Sequence, residues 1–169
     1  MTAPMIPSIL TRFRPDLLVP KVRDLHRNRA RLGHFSDKAL PMPNPLPEAR
    51  LLEMVFPDHT NHLGTLFGGQ ALAWMDKAAF IVASRHARRT VVTARSEEVN
   101  FRVPVRSGQL VELVASVVKV GRSSMQVEVE MTAEDPLTGD RRVCTTGRFV
   151  MIALDSNGSP TSVPPLPAA

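Results

Sequence analysis

Residues 69–87, GQALAWMDKAAFIVASRHA, constrain this chain more than any other stretch. The spacing predicts a helix of about five turns. Ala71, Leu72, Trp74, Met75, Ala78, Ala79, Phe80, Ile81, Val82 and Ala83 make it apolar on most sides. Such a helix has to be buried, so the rest of the fold must cover it. Its end carries Arg85, His86, Arg88 and Arg89, which suit the negative pole of the helix dipole; His86 reads as a C-terminal cap.

The cover is written in a different period. Arg50–Phe56 reads as a first strand, ended by Pro57. After the helix come strand regions at Thr90–Val105 and Gln109–Val120. Then Met125, Val127, Val129, Met131 and Ala133 alternate with Gln126, Glu128, Glu130, Thr132 and Glu134. That alternation gives one dry and one wet face. Asp135–Asp140 is a turn, and Arg141–Asp155 a final strand closed by Ser156–Pro160. Short turns make neighbours antiparallel, so the expected class is α+β: one helix wrapped by a curled sheet of about five strands.

Charge separates the chain into parts. Residues 1–50 hold nine Lys/Arg and four Asp/Glu, while residues 51–169 hold twelve of each. The net charge of +5 is thus carried by the leading segment, and a neutral domain argues against nucleic acid as its partner. Eight of the fifteen prolines fall in the first fifty residues. Residues 1–47 are therefore expected to be a Pro-rich, basic extension, partly disordered or with one short helix over 15–32. The domain is expected over 48–160, with a loose Pro-rich tail at 161–169. One cysteine, Cys144, permits no intrachain disulfide and fits a reducing, cytoplasmic setting; it lies in a strand pattern and reads as core. No apolar run approaches the roughly 20 residues a membrane span needs.

The chemistry gathers at the helix start. Gly68 and Gly69 let a ligand's carbonyl approach the backbone, and the first amides of a helix point outward with no internal partner. They suit a developing oxyanion, with the Gly69 N–H as candidate donor. Asp76 stands two turns further on as a lone carboxylate among apolar residues, where reduced hydration makes it a stronger base. Taken alone, Asp76 reads first as a helix acid paired with Lys77 or an arginine, and Asn61 can be a turn residue before Gly64. Arg122, Ser123 and Ser124 lie at a turn that could hold phosphate, or form an ordinary hairpin in which Gly121 supplies a positive φ. His59 and His62 sit in a loop with no further ligands, so no metal is expected. Trp74 and Phe80 are core or pocket lining.

Taken in order, five motifs resemble the acyl-CoA thioesterase (acyl-CoA hydrolase) branch of the hotdog superfamily. They are Phe56–Gly69, Trp74-Met75-Asp76, Val91–Ala94, Phe101-Arg102-Val103-Pro104-Val105 and Gly121–Met125. The resemblance covers about Leu51 to Pro164. It implies the hotdog fold and hydrolysis of acyl-CoA to free fatty acid and CoA without a cofactor. Asp76 would be general base or nucleophile, paired with Asn61 from the opposite subunit of a dimer at minimum, with a trimer of dimers suggested, and with the Gly69 N–H as oxyanion donor. Phe67, Gly68, Thr93, Arg122, Ser123 and Ser124 would contact the substrate. The rival readings are a hotdog hydratase or dehydratase, which would want a His–acid pair on the helix, and a non-catalytic acyl-CoA sensor.

Overall fold

The computed structural model describes residues 48–166. The expected extension over 1–47, with its short helix, lies outside the described residues, as do 167–169. In chain order the elements are β1 (Glu48–Met54), a 3-10 turn (Pro57–His59), α1 (Gly68–Ala87), β2 (Thr90–Phe101), β3 (Leu110–Val120), β4 (Ser124–Glu134) and β5 (Arg141–Leu154). The five strands form one sheet in the order β1-β3-β4-β5-β2, every pair antiparallel. This is the expected α+β arrangement of one long helix against a five-stranded sheet.

β4 shows why the layers meet as they do. Met125, Val127, Val129, Met131 and Ala133 are buried under α1, while Glu128 and Glu130 face out. The helix answers with Ala71, Met75, Ala78, Ala79, Val82 and Ala83. The four alanines let its backbone approach the sheet closely, and Met75, Leu113, Phe149 and Met151 fill the space between.

The helix is not covered on all sides, contrary to the expectation from its composition. Ala73, Lys77 and Phe80 are exposed, with Phe80 at 46%. The stripe Gly69, Ala73, Asp76 and Phe80, spaced four, three and four residues apart, looks toward the sheet edge formed by β2. Among the described residues no strand pairs with that edge, and Val92 and Phe101 on it are also exposed.

Two further boundaries differ from expectation. β2 ends at Phe101 and does not run to Val105, because Arg102 and Val103 both turn their N–H onto the carbonyl of Cys144 and Pro104 has no N–H to give. Within β2 the pairing with β5 slips twice, between Thr93 and Arg95 and between Ser96 and Val99. The tail, expected to be loose, is fastened over 161–166. Thr161 N–H donates to Ala153 O, Val163 N–H to Arg122 O, and Val163 and Leu166 pack on the core. His86 takes part in this: its Nε2 lies 2.9 Å from Pro164 O. It therefore holds the tail to the helix and does not merely cap the helix end.

Candidate active site

Chain entry into α1 is fixed by the loop before it. Gly64 adopts φ 71°, closing a turn in which its N–H donates to Asn61 O at 3.0 Å. The Asn61 side chain completes the turn. Its Oδ1 accepts from Leu63 N–H at 2.9 Å, from Thr65 N–H at 3.3 Å and from the Thr65 hydroxyl at 3.2 Å. With Oδ1 so engaged, Nδ2 is left as a donor. The turn reading and a donor role therefore coexist in one residue.

His59 supports the same loop. Its Nδ1 accepts from Phe56 N–H at 3.2 Å, its carbonyl accepts from Phe67 N–H at 2.9 Å, and its ring meets Trp74 edge-on. Trp74 is buried and belongs to the core. Among the described residues no cluster of His, Cys, Asp and Glu could hold a metal ion.

The helix start is open. The first backbone bond of α1 runs from Ala71 N–H to Phe67 O, and Phe67 offers no side-chain cap. The N–H groups of Gly68, Gly69 and Gln70 thus have no partner within the helix. Two rings flank them. A Cβ built on Gly68 would lie 3.6 Å from the Phe101 ring. Phe67 is 58% exposed and Phe101 57%.

Asp76 sits two turns along the stripe that begins at Gly69. The hydroxyl of Thr93 donates to its Oδ1 at 2.7 Å, tying α1 to the open edge strand. Oδ2 makes no hydrogen bond among the described residues. Lys77, the expected structural partner, instead pairs with Glu53 at 2.8 Å. A cleft of about 340 Å³ opens here between Gly69, Ala73 and Asp76 on the helix and Thr93, Ser96 and Phe149 on the sheet. A neighbouring cleft of about 270 Å³ lies past the helix start between Leu66, Ala71, Phe101 and Val103. A larger hollow of about 630 Å³ occupies the opposite face of the sheet, near Glu98 and Arg148. It lies away from the helix start and Asp76, so size does not mark the site.

The structure brings together Gly69, Asp76 and Thr93. It does not join Asn61 to Asp76 by a hydrogen bond within one chain. Arg122, Ser123 and Ser124 also stand apart, toward the other end of the helix: Ser124 pairs with Ile152, two strands from β2, or about 10 Å away. Gly121 in that turn does not take a positive φ. It leaves room for the Ser124 hydroxyl, which would lie 2.7 Å from a Cβ there. Ser96 was not singled out in the sequence. Strict alternation from Thr93 would turn it away from the site, but the slip after Thr93 sets both residues opposite inward-facing β5 partners, Met151 and Phe149.

Comparison with known proteins gives the family. Residues 63–139 match the thioesterase superfamily. An uncharacterised acyl-CoA thioester hydrolase of Bacillus subtilis is 44% identical over 110 residues, covering 65% of this chain and 64% of that protein, so the chain spans just under two thirds of its length. An uncharacterised acyl-CoA thioester hydrolase of Zymomonas mobilis is 37% identical over 139 residues, covering 78% and 87%. Among solved structures, the acyl-CoA hydrolase of Staphylococcus aureus, in complex with butyryl-CoA and CoA, superposes with a TM-score of 0.68 at 35% identity, covering 70% of this chain and 73% of that one. The same enzyme has been solved with an asparagine, an aspartate or a threonine replaced by alanine. A hexameric acyl-CoA thioesterase superposes with a TM-score of 0.70 at 38% identity, covering 73% and 80%. The fold is the hotdog fold. No helix among the described residues is long and apolar enough to cross a membrane.

Proposed function

The chain belongs to the acyl-CoA thioester hydrolases of the thioesterase superfamily, and from that premise we propose that it cleaves acyl-CoA to a carboxylic acid and free CoA at the cleft beside Asp76. The observation that carries this reading is the Thr93–Asp76 hydrogen bond beside an uncapped helix start. Thr93 fixes Oδ1, which leaves Oδ2 to act. A thioester carbonyl directed at the Gly69 N–H is polarised by that amide and by the positive pole of α1. Water deprotonated by Asp76 then adds to the carbonyl carbon, the C–S bond breaks, and the proton passes to the departing thiolate. Attack by Oδ2 itself uses the same geometry and passes through a mixed anhydride that water hydrolyses.

Spacing supports the assignment. The three positions replaced in the Staphylococcus aureus enzyme lie 15 and then 17 residues apart, in the order asparagine, aspartate, threonine. Asn61, Asp76 and Thr93 repeat both intervals in this chain. Asn61 serves from a second chain, its Nδ2 donating to the carbonyl or the water. The open β2 edge and the exposed rings of Phe67, Phe80 and Phe101 are the surfaces that a partner covers, giving a dimer at minimum and the trimer of dimers of a hexamer. The lone, buried Cys144 suits a cytoplasmic protein.

The test is hydrolysis of a panel of acyl-CoAs by the purified chain, read by free thiol. Thiol release that is lost in Asp76→Asn supports the reading. No release at any chain length overturns it, and CoA binding without turnover replaces it with the sensor.

A further inference from the structure

The loop before α1 stands on His59. Its two arms meet at one bond: Phe67 N–H donates to His59 O at 2.9 Å, just before the helix begins at Gly68. Further out, Thr60 faces Leu66 in an antiparallel bridge, and Asn61 N–H donates to Thr65 O at 2.8 Å. Asn61 is thus two residues from His59 along one arm, and Gly69 is two residues past the foot of the other. The placement of both follows from that of His59.

The imidazole is itself fixed. Nδ1 accepts from Phe56 N–H at 3.2 Å, which places the ring proton of the neutral form on Nε2. The ring meets Trp74 edge-on, with centroids 5.1 Å apart and planes at 85°, and meets Phe56 at 5.9 Å and 63°. Trp74 is 5% exposed and lies two residues before Asp76 on α1. The backbone N–H of His59 donates to Phe56 O at 3.0 Å. The exposed Asp58 carboxylate is 4.0 Å from Nε2, too far for a hydrogen bond. The contacts of the ring therefore run to the chain after β1 and to the helix. Among the described residues no hydrogen bond joins it to Asn61, Gly69 or Asp76, so its effect on them travels through the backbone and Trp74.

We propose that His59 is a positioning residue for the reaction: its imidazole sets the Gly69 N–H for this chain's own site and the Asn61 amide for the site of a second chain. The inference rests on the hydrolase reading above for the roles of Gly69 and Asn61. Groups that act on a reacting carbonyl lose much of their effect when displaced by a fraction of a bond length. Both act on the carbonyl in the transition state, so a loosened loop lowers kcat more than it raises KM.

Two substitutions in the full chain test this. His59→Phe keeps a ring edge against Trp74 and removes the acceptor for Phe56 N–H. His59→Asn keeps an acceptor at the place of Nδ1 and removes the ring. In acyl-CoA hydrolysis, His59→Phe should lower kcat about tenfold with KM within about twofold, and His59→Asn should recover most of that loss. Native-state amide exchange should quicken at Asn61, Leu66 and Phe67 in His59→Phe, while the interior of α1 keeps its protection. In an Asn61→Ala background His59→Phe should cost about threefold or less, because one of the two groups it displaces is already gone. An unchanged kcat in His59→Phe, equal losses in the Phe and Asn variants, or strict additivity with Asn61→Ala overturns the proposal. A residue that served stability alone would lower the melting temperature and leave kcat per folded chain where it was. If the wild type releases no thiol, the hydrolase reading falls and exchange decides the rest. Faster loop exchange in His59→Phe but not in His59→Asn then keeps His59 as the anchor of the loop, and equal exchange in wild type and His59→Phe overturns that as well.

Discussion

The ring of Phe67 occupies the space into which a side chain at Gly69 would project: a Cβ there would lie 2.6 Å from Phe67 Cε1. Gly69→Ala must therefore displace the ring from the helix start. Because Phe67 is exposed, the swing should cost under about 1 kcal/mol of stability. Activity should fall about tenfold or more, since the methyl and the moved ring crowd the amide proposed to polarise the carbonyl. Phe67→Ala in the same chain should recover part of the loss. A double-mutant cycle on kcat/KM checks this, and strictly additive effects would count against the contact.

Asp76→Asn should lower kcat by about 10² or more, the usual range for a lost general base. Thr93→Ala removes one hydrogen bond to that carboxylate and should cost about tenfold. Both positions lie at a partly exposed cleft, so denaturant midpoints should hardly move. A Thr93→Ser variant keeps the hydroxyl and should stay near wild type. Equal losses in the Ala and Ser variants would refute the hydroxyl's role.

Glu112 lies between Arg141 and Arg50, and their hydrogen bonds, Arg141's first, hold its carboxyl below the usual value of 4.5. A folded-state pKa that is depressed stabilises the fold above the unfolded value and loses that contribution as pH falls through the folded one. Glu112→Gln should therefore be less stable than wild type near about pH 7, with the gap closing toward about pH 3. The gap should be small, because Arg50 and Arg141 are 59% and 50% exposed and solvent screens both pairs. Urea unfolding of both proteins at the two pH values measures it.

Gly147→Ala tests the core under the site. A Cβ at residue 147 would lie 2.9 Å from Met75 Cε and 3.2 Å from Val99 Cγ2. Met75 is fully buried, so overpacking should cost about 1–3 kcal/mol. Met75→Leu in that background shortens the intruding side chain and should restore part of the stability in chemical denaturation.

The sequence carried these results unevenly, for physical reasons. The alternation from Met125 to Ala133 made β4 readable because sheet burial has a strict period of two. The Gly68-Gly69 start and the isolated carboxylate of Asp76 were readable because both are local. Ser96 was not, since a pairing slip decided by contacts with β5 turns it toward the site. Phe80 was left open between core and pocket lining, because composition cannot tell which side of an apolar helix a single sheet leaves uncovered; the structure exposes it. The fastened tail escaped notice for a similar reason: Pro164-Pro165 looks like loose chain until His86 is found beneath it.

The paired slips in β2 bear on how this strand tolerates change. In a regular ladder, one added or lost residue turns every later side chain to the wrong face. Between Thr93 and Val99 the count of residues across from β5 is already uneven, so a single insertion or deletion there can be absorbed before the register resumes at Val99 opposite Gly147. The wall of the cleft can thus be lengthened or shortened by one residue while Asp76, Thr93 and the core behind them stay where they are.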